Sequence, residues 1–293
     1  MSRATVWTMA CVLAGCSTPA QVPDDAPKAD APKMEVAADA TYSVVRRADV
    51  SWEPLNPARG DKSPKAGTLW GDRKADVATG FLAEFADGFS SPPHIHNVTY
   101  RAVVIEGLAH NDDPEAANMW MPTGSFWTQP KGEAHITSAQ GSPVVAYVEI
   151  EAGPYLVRPA EQAFDSGERP INVDASNMVW EDLTTTAYYH GANPNGGAPP
   201  EVAYLWKGEE RRGFMLRLPP GFEGKVYTPG PDLRAVVISG EVTHEDPGGS
   251  RAEALPPGSY FGSTKAAMHD VTCASGAACV LYVRAGNGLR VVQ

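Results

Sequence analysis

The chain has 293 residues, 43% of them hydrophobic, enough for a sizeable core in one large domain or two small ones. Its 28 glycines and 26 prolines favour many turns and short strands over long helices. The formal net charge is −11 with no block of lysines or arginines, so the basic face that a nucleic-acid partner requires is lacking.

Residues 1 to 16 read MSRATVWTMACVLAGC, one basic residue followed by an apolar run too short to span a bilayer. That is the layout of a secretory signal; the plainer alternative is a short apolar N-terminus of a cytosolic protein. The ending Leu13-Ala14-Gly15-Cys16 resembles the lipobox of bacterial lipoproteins, which implies cleavage before Cys16 and lipidation of its sulfur. More than one acyl chain anchors a protein stably. Ser17 after the cysteine implies the periplasmic face of the outer membrane or the cell surface. Residues 17 to 40 carry prolines at 19, 23, 27 and 32 among Ala, Asp and Lys with no apolar period, and are expected to be a disordered tether. The rest of the chain carries −9, so membrane contact is expected through lipid alone.

Beyond residue 40 the chain repeats. LWGDRKADVATGFLAEFADGF answers LWKGEERRGFMLRLPPGF, YRAVVIEGLAH answers LRAVVISGEVTH, and MPTGSFWTQPKGEAHIT answers LPPGSYFGSTKAAMHDVT. Trp70 thereby stands opposite Trp206, Gly107 opposite Gly240 and His135 opposite His269, which reads as a duplicated unit. Each unit is made of short β-rich runs such as TGFLAEF, YRAVVIEGL and PVVAYVEI, punctuated by Gly, Pro, Asn and Asp. Evenly spaced short strands predict sandwiches or closed barrels, with a seam between Arg158 and Val173.

The first unit concentrates the chemistry. His94 and His96 stand two residues apart and Tyr100 four further on, so on a strand all three side chains share one face. A third imidazole, His135, lies on a later strand. Three neutral imidazoles hold a divalent metal at about 2.1 Å and leave a position for water or substrate. Zn, Fe, Mn, Ni and Cu all accept imidazole, so the donor set does not choose among them. The alternative is a set of hydrogen-bonded barrel histidines without metal.

These residues carry a resemblance. Gly88, His94, His96 and Gly107 match the first cupin motif, with Tyr100 in the slot of its glutamate ligand. Gly124, Pro130, Gly132 and His135 match the second, with Ala139 in its Asn slot. The surrounding wording, WGDRKADVATGF, HIHNVTYR and HNDDPEAANMWMPTGSFWTQPKGEAHIT, resembles an uncharacterised bacterial family of two-cupin proteins known only as a domain of unknown function. The resemblance implies an all-β chain of two tandem cupin-type, jelly-roll barrels, the first over 41–165 with the metal site and the second over 166–293.

Tyr100 is expected at the site edge, its phenol donating to a water or substrate oxygen; the alternative is a tyrosine packed on its ring with its hydroxyl in solvent. Losing the carboxylate leaves the centre more positive, which favours anionic ligands. Met119, Trp120, Met121, Phe126 and Trp127 read as core or as an aromatic mouth, and His110, its counterpart His244, and His190 as turn residues. Glu106 and Glu133 are the carboxylates nearest the motifs. In the second unit Tyr227, Pro229, Leu233, Thr264 and Ala266 replace motif residues and only His269 survives, so no metal is expected there. Cys273 and Cys279 flank ASGAA between two strand-like runs and are expected to form a disulfide, with a two-thiol metal site as the weaker alternative.

Two functions stand at this point. One is a metal-dependent enzyme, dioxygenase-like or isomerase-like, acting on a small oxygen-bearing molecule. The other is a non-catalytic binding or sensing lipoprotein. A monomer and a homodimer both fit.

Overall fold

The computed structural model describes residues 34–190, 197–245, 253–286 and 288–293. The signal, Cys16, residues 17–33 of the expected tether, and residues 191–196 and 246–252 lie outside the described residues.

The apolar runs form strands whose two faces are both apolar. In Thr79–Phe85, Tyr100–Asp112 and Ile136–Ile150, one set of side chains (Phe81, Ala83, Phe85, Ala102, Val104, Val144, Ala146, Val148) fills an N-terminal core. The alternate set (Leu82, Val103, Ile105, Val145, Tyr147) points the other way. The same happens in Arg211–Leu218, Asp232–Ser239 and Cys279–Gly286, where Phe214, Leu216, Leu233, Ala235, Val237, Leu281 and Val283 fill a C-terminal core. Their alternates Met215, Val236, Ile238 and Tyr282 join the outward set of the first half. Successive strand side chains point to opposite faces, so an unbroken apolar run requires cover on both. The two halves supply it by packing back to back.

The N-terminal half holds a seven-stranded sheet in the order Ile171–Val173, Phe126–Gln129, Tyr100–Asp112, Ile136–Ile150, Thr79–Phe85, Lys65–Trp70, Trp52–Pro54, and a small sheet of His94–His96 with Val157–Pro159. The C-terminal half pairs a seven-stranded sheet with a six-stranded one that contains Glu223–Thr228 and Ala267–Cys273. Helical turns among the described residues are short 3-10 segments. The all-β barrel class expected from the sequence is the one observed.

The halves exchange strands across the boundaries expected at 40, 41 and 165. Tyr42–Val45, expected in the first barrel, pairs antiparallel with Tyr260–Thr264 of the second. Ile171–Val173, expected in the second, pairs with Phe126–Gln129 of the first. The end of the expected tether is also docked: the Ala37 amide donates to Ala266 O at 2.8 Å, the Tyr227 hydroxyl donates to Glu35 O at 3.2 Å, and Lys265 pairs with Asp39. Each exchange covers a sheet edge that would otherwise expose unpaired backbone groups. Cys273 and Cys279 are joined by a disulfide, their Cα atoms 5.8 Å apart.

One polar cluster lies in the middle layer. Tyr147 Oη donates to Glu149 Oε2 at 3.0 Å and Tyr282 Oη to Glu149 Oε1 at 2.6 Å, so both halves hold one buried carboxylate. Trp70 Nε1 donates to Tyr147 at 3.1 Å and Trp206 Nε1 to Tyr282 at 2.9 Å, repeating the arrangement across the duplication. Gly80 and Gly213 lie under the two indoles, where a Cβ would come within 2.1 and 1.9 Å of the ring nitrogens. Two residues beyond the tyrosines the repeat diverges, to Glu149 in one half and the buried Arg284 in the other. Arg101 and Arg284 both pair with Glu151, at 3.0 and 2.5 Å.

Replacing Glu149 by Ala leaves two buried phenols without an acceptor and removes the carboxylate beside Arg284. It should destabilise the chain by about 3 kcal/mol in urea unfolding, with Glu149→Gln costing less because its amide oxygen still accepts.

Candidate metal centre

His94 and His135 stand directly opposite one another and exchange both backbone hydrogen bonds, His94 N to His135 O and His135 N to His94 O, each at 3.0 Å. Opposed residues of an antiparallel pair project to the same face. His96, two residues on, projects there as well. Gly132, φ +80°, turns the chain into this pairing, and a Cβ there would lie 2.6 Å from Phe164 O. That close approach and the positive φ explain the glycine of the second motif.

The three imidazoles are oriented alike. His94 Nδ1 lies 2.9 Å from Pro92 O, His96 Nδ1 3.1 Å from Leu156 O, and His135 Nδ1 3.1 Å from Glu133 O. A carbonyl only accepts, so each Nδ1 carries the proton and each Nε2 keeps its lone pair. One ligand nitrogen from each ring lies within 4.8 Å of the other two. His135 Nε2 is buried without a hydrogen-bond partner among the described residues. Such a group is costly to bury alone, and a cation between the three rings would satisfy it. The donor set therefore fits a divalent metal ion.

Burial holds all three rings neutral. His135 is pushed down to about 3, by desolvation and then by His94. His96 falls well below the ordinary imidazole range, by desolvation and then by His135 and His94. His94 is lowered by desolvation, partly offset by its bond to Pro92 O, with the charge of Arg59 adding to the shift. Neutral imidazole is the ligating form.

Tyr100 does not play the expected part. Its ring lies 5.1 Å from that of His96, but its hydroxyl is buried and donates to Asn111 Oδ1 at 2.9 Å. Asn111 Oδ1 also accepts from Thr137 Oγ1 at 2.8 Å, and Asn111 Nδ2 donates to Gln129 Oε1 at 2.9 Å. Gln129 Nε2 then donates to Glu133 O at 3.3 Å, the carbonyl that also orients His135. Tyr100 is thus part of a buried polar floor beneath the histidines.

The hydroxyl at the centre belongs to Tyr155, which motif reading missed. Tyr155 Oη lies 3.2 Å from His96 Nε2, and its ring stacks on His96 with centroids 4.5 Å apart. Asn97 clamps its segment, donating to Pro154 O and accepting from Leu156 N, both at 2.9 Å. His96 is therefore held at one nitrogen by Tyr155 and at the other by Leu156. Burial raises the Tyr155 phenol well above its ordinary range, so it stays protonated. The signal available in sequence was a lone tyrosine after Gly153-Pro154, sixteen residues past Ala139, the last slot of the second motif.

Glu106 pairs with Arg47, and Glu133 contributes its backbone carbonyl. Trp127 lines the cavity, whereas Phe126 faces the middle layer and Met121 is core. His110 is a strand residue with Nδ1 accepting from Met119 N at 3.2 Å, and His190 lies on a short strand beside Arg290–Val292. His244 is not the counterpart of His110. It opposes Val271 as Asn111 opposes Thr137, and its Nε2 lies 2.8 Å from His269 Nδ1 inside the second barrel. His269 Nε2 meets Ser263 Oγ at 2.9 Å, so both of its ring nitrogens are engaged.

A cavity of about 90 Å³ opens at His94 and His96, lined also by Phe81, Phe85, Phe89, Val148, Tyr155 and Arg59, with no carboxylate among the described residues of its wall.

Comparison with known proteins bears on the family and the fold. Residues 43–292 match the family model described as a domain of unknown function, DUF4437. No curated protein matches the chain. Among solved structures, a candidate dioxygenase from Nostoc punctiforme PCC 73102 aligns at TM-score 0.60 and 14% identity, over 85% of this chain and 82% of that one. Vicilin from hazelnut, Corylus avellana, aligns at 0.52 and 11%, over 85% and 87%. A Bacillus subtilis oxalate decarboxylase variant aligns at 0.51 and 13%, over 83% and 76%. At these identities what is shared is the fold, of cupin type.

Because the folded chain refuses a proton on His135 until about pH 3 while the unfolded chain accepts one near 6.5, stability falls as pH drops between those values. In chelator, His135→Gln should flatten the dependence of urea-unfolding free energy on pH by about 1.4 kcal/mol per pH unit in that window.

Proposed function

The chain is a member of the DUF4437 family, and on that footing we propose that it is an exported, lipid-anchored cupin that holds one divalent metal ion on His94, His96 and His135 and acts on a small, oxygen-bearing anion. The observation that carries the metal reading is the common orientation of the rings, every Nδ1 on a backbone carbonyl and the three ligand nitrogens gathered within 4.8 Å. A divalent ion there would supply Lewis acidity toward a substrate oxygen. Zn, Fe, Mn, Ni and Cu all suit such a donor set; Bacillus subtilis oxalate decarboxylase, one of the structural neighbours, has Mn(II) centres.

The chain's own groups do the rest. The backbone carbonyls hold the rings, Tyr155 keeps a proton at its hydroxyl to donate to a substrate oxygen, and the phenylalanines exclude water. The lining has no carboxylate to shuttle a proton, which favours a dioxygenase-like reaction over an isomerase-like one. The same lack supports the second reading, a metal-and-ligand-binding or sensing lipoprotein without turnover.

Purified without added metal, the protein should carry about one equivalent of a single divalent metal by mass spectrometry, and His94→Ala and His135→Ala should each lose it. No metal in the wild type, even after reconstitution, would sink the reading. Oxygen uptake during substrate screening separates the enzyme from the sensor. The anchor is tested separately: labelled palmitate should enter the wild type in a bacterial host and not Cys16→Ala, and equal labelling would refute lipidation.

A further inference from the structure

The cavity lining combines one charged side chain, Arg59, with neutral polar groups and an apolar wall. Among its lining residues are His94, His96 and Tyr155, with Phe81, Phe85 and Phe89 as apolar wall. The exposed Arg59, from the segment Pro57–Lys62, lines the same cavity. The Arg59 guanidinium carbon lies 6.0 Å from the centroid of the Phe89 ring. No carboxylate among the described residues pairs with Arg59, whereas Arg47, Arg73, Arg101 and Arg284 each have an acidic partner. On a chain of net charge −11, a cation left unneutralised at an aromatic cavity is a local reversal of the protein's field.

We infer that the cavity takes a small carboxylate bound by Arg59, its oxygen-bearing opposite end toward the three histidines and its apolar segment against Phe81, Phe85 and Phe89. The inference deepens the proposed function and rests on its metal site for the inner end only. A guanidinium presents a planar fork that matches a carboxylate, and beside an aromatic wall it is worth more than in open water. Arg59 and a divalent ion would bring three positive charges to a wall without an acid, so a neutral ligand would leave them uncompensated. The apolar middle argues against a dianion such as two directly joined carboxylates, whose charge it would have to desolvate.

The test uses the full chain loaded with zinc, so that binding is read without redox turnover. Levulinate and its neutral amide are titrated calorimetrically into wild type, Arg59→Gln and Arg59→Lys, with zinc stoichiometry measured for each. Levulinate should bind the wild type at least about tenfold more tightly than the amide, Arg59→Gln should lose that preference while keeping its zinc, and Arg59→Lys should keep part of it. Equal binding of acid and amide by the wild type, no binding of the acid, or a preference that survives Arg59→Gln would each overturn the inference. Should zinc fail to bind, the metal reading falls separately; the same titrations on the zinc-free chain then decide, an acid preference lost in Arg59→Gln upholding the anchor and its lack overturning it.

Discussion

Strands that are apolar on both faces constrain this molecule more than any single contact. Val144, Ala146 and Val148 need one cover and Val145 and Tyr147 another, and one barrel supplies only the first. Back-to-back packing of the two halves supplies the second. The middle layer then encloses Glu149, and that carboxylate is tolerable because a tyrosine from each half donates to it. The exchanged strands Tyr42–Val45 and Ile171–Val173 stitch the same pairing from its edges. With the outward faces of the large sheets committed to each other, chemistry is left to the barrel interiors.

The interiors have used the duplication differently. In the first, backbone carbonyls fix every Nδ1, so the rings are aimed before any ligand arrives, and the floor of Tyr100, Asn111, Gln129 and Thr137 is fully hydrogen-bonded. Preorganisation of that kind leaves one contact to give way when a cation binds, the Tyr155 hydroxyl on His96 Nε2. In the second, His244 occupies the place of Asn111 and turns to His269, which turns to Ser263. An imidazole that could have faced an ion faces another imidazole.

Much of this was legible in local spacing. His94 and His96 share a face because strand side chains alternate, and the paired motifs bring His135 to them. The Cys273 and Cys279 pair was legible for the same reason, a short turn between two runs. Tyr100 shows where that logic stops: its parity was right, but its hydroxyl belongs to Asn111, eleven residues along a strand whose bulges shift the register. The pairing of His110 with His244 failed for another reason: His244 stands four residues past Gly240 as Asn111 stands four past Gly107, so matching histidine to histidine slipped the count by one.

By itself the sequence determined the β class and set His94 and His96 on one face, because both follow from periodicity within a short stretch; the duplication showed as repeated wording, and His135 joined the pair through the resemblance to the second cupin motif. Only the tertiary structure decided that Tyr155 rather than Tyr100 meets the histidines, that Arg59 faces their cavity, and that Tyr42–Val45 serves the other half. Those placements depend on which strands pair and which loops fold back over them. The free energy that selects them comes from covering apolar faces and sheet edges across the whole chain, and no local pattern records it.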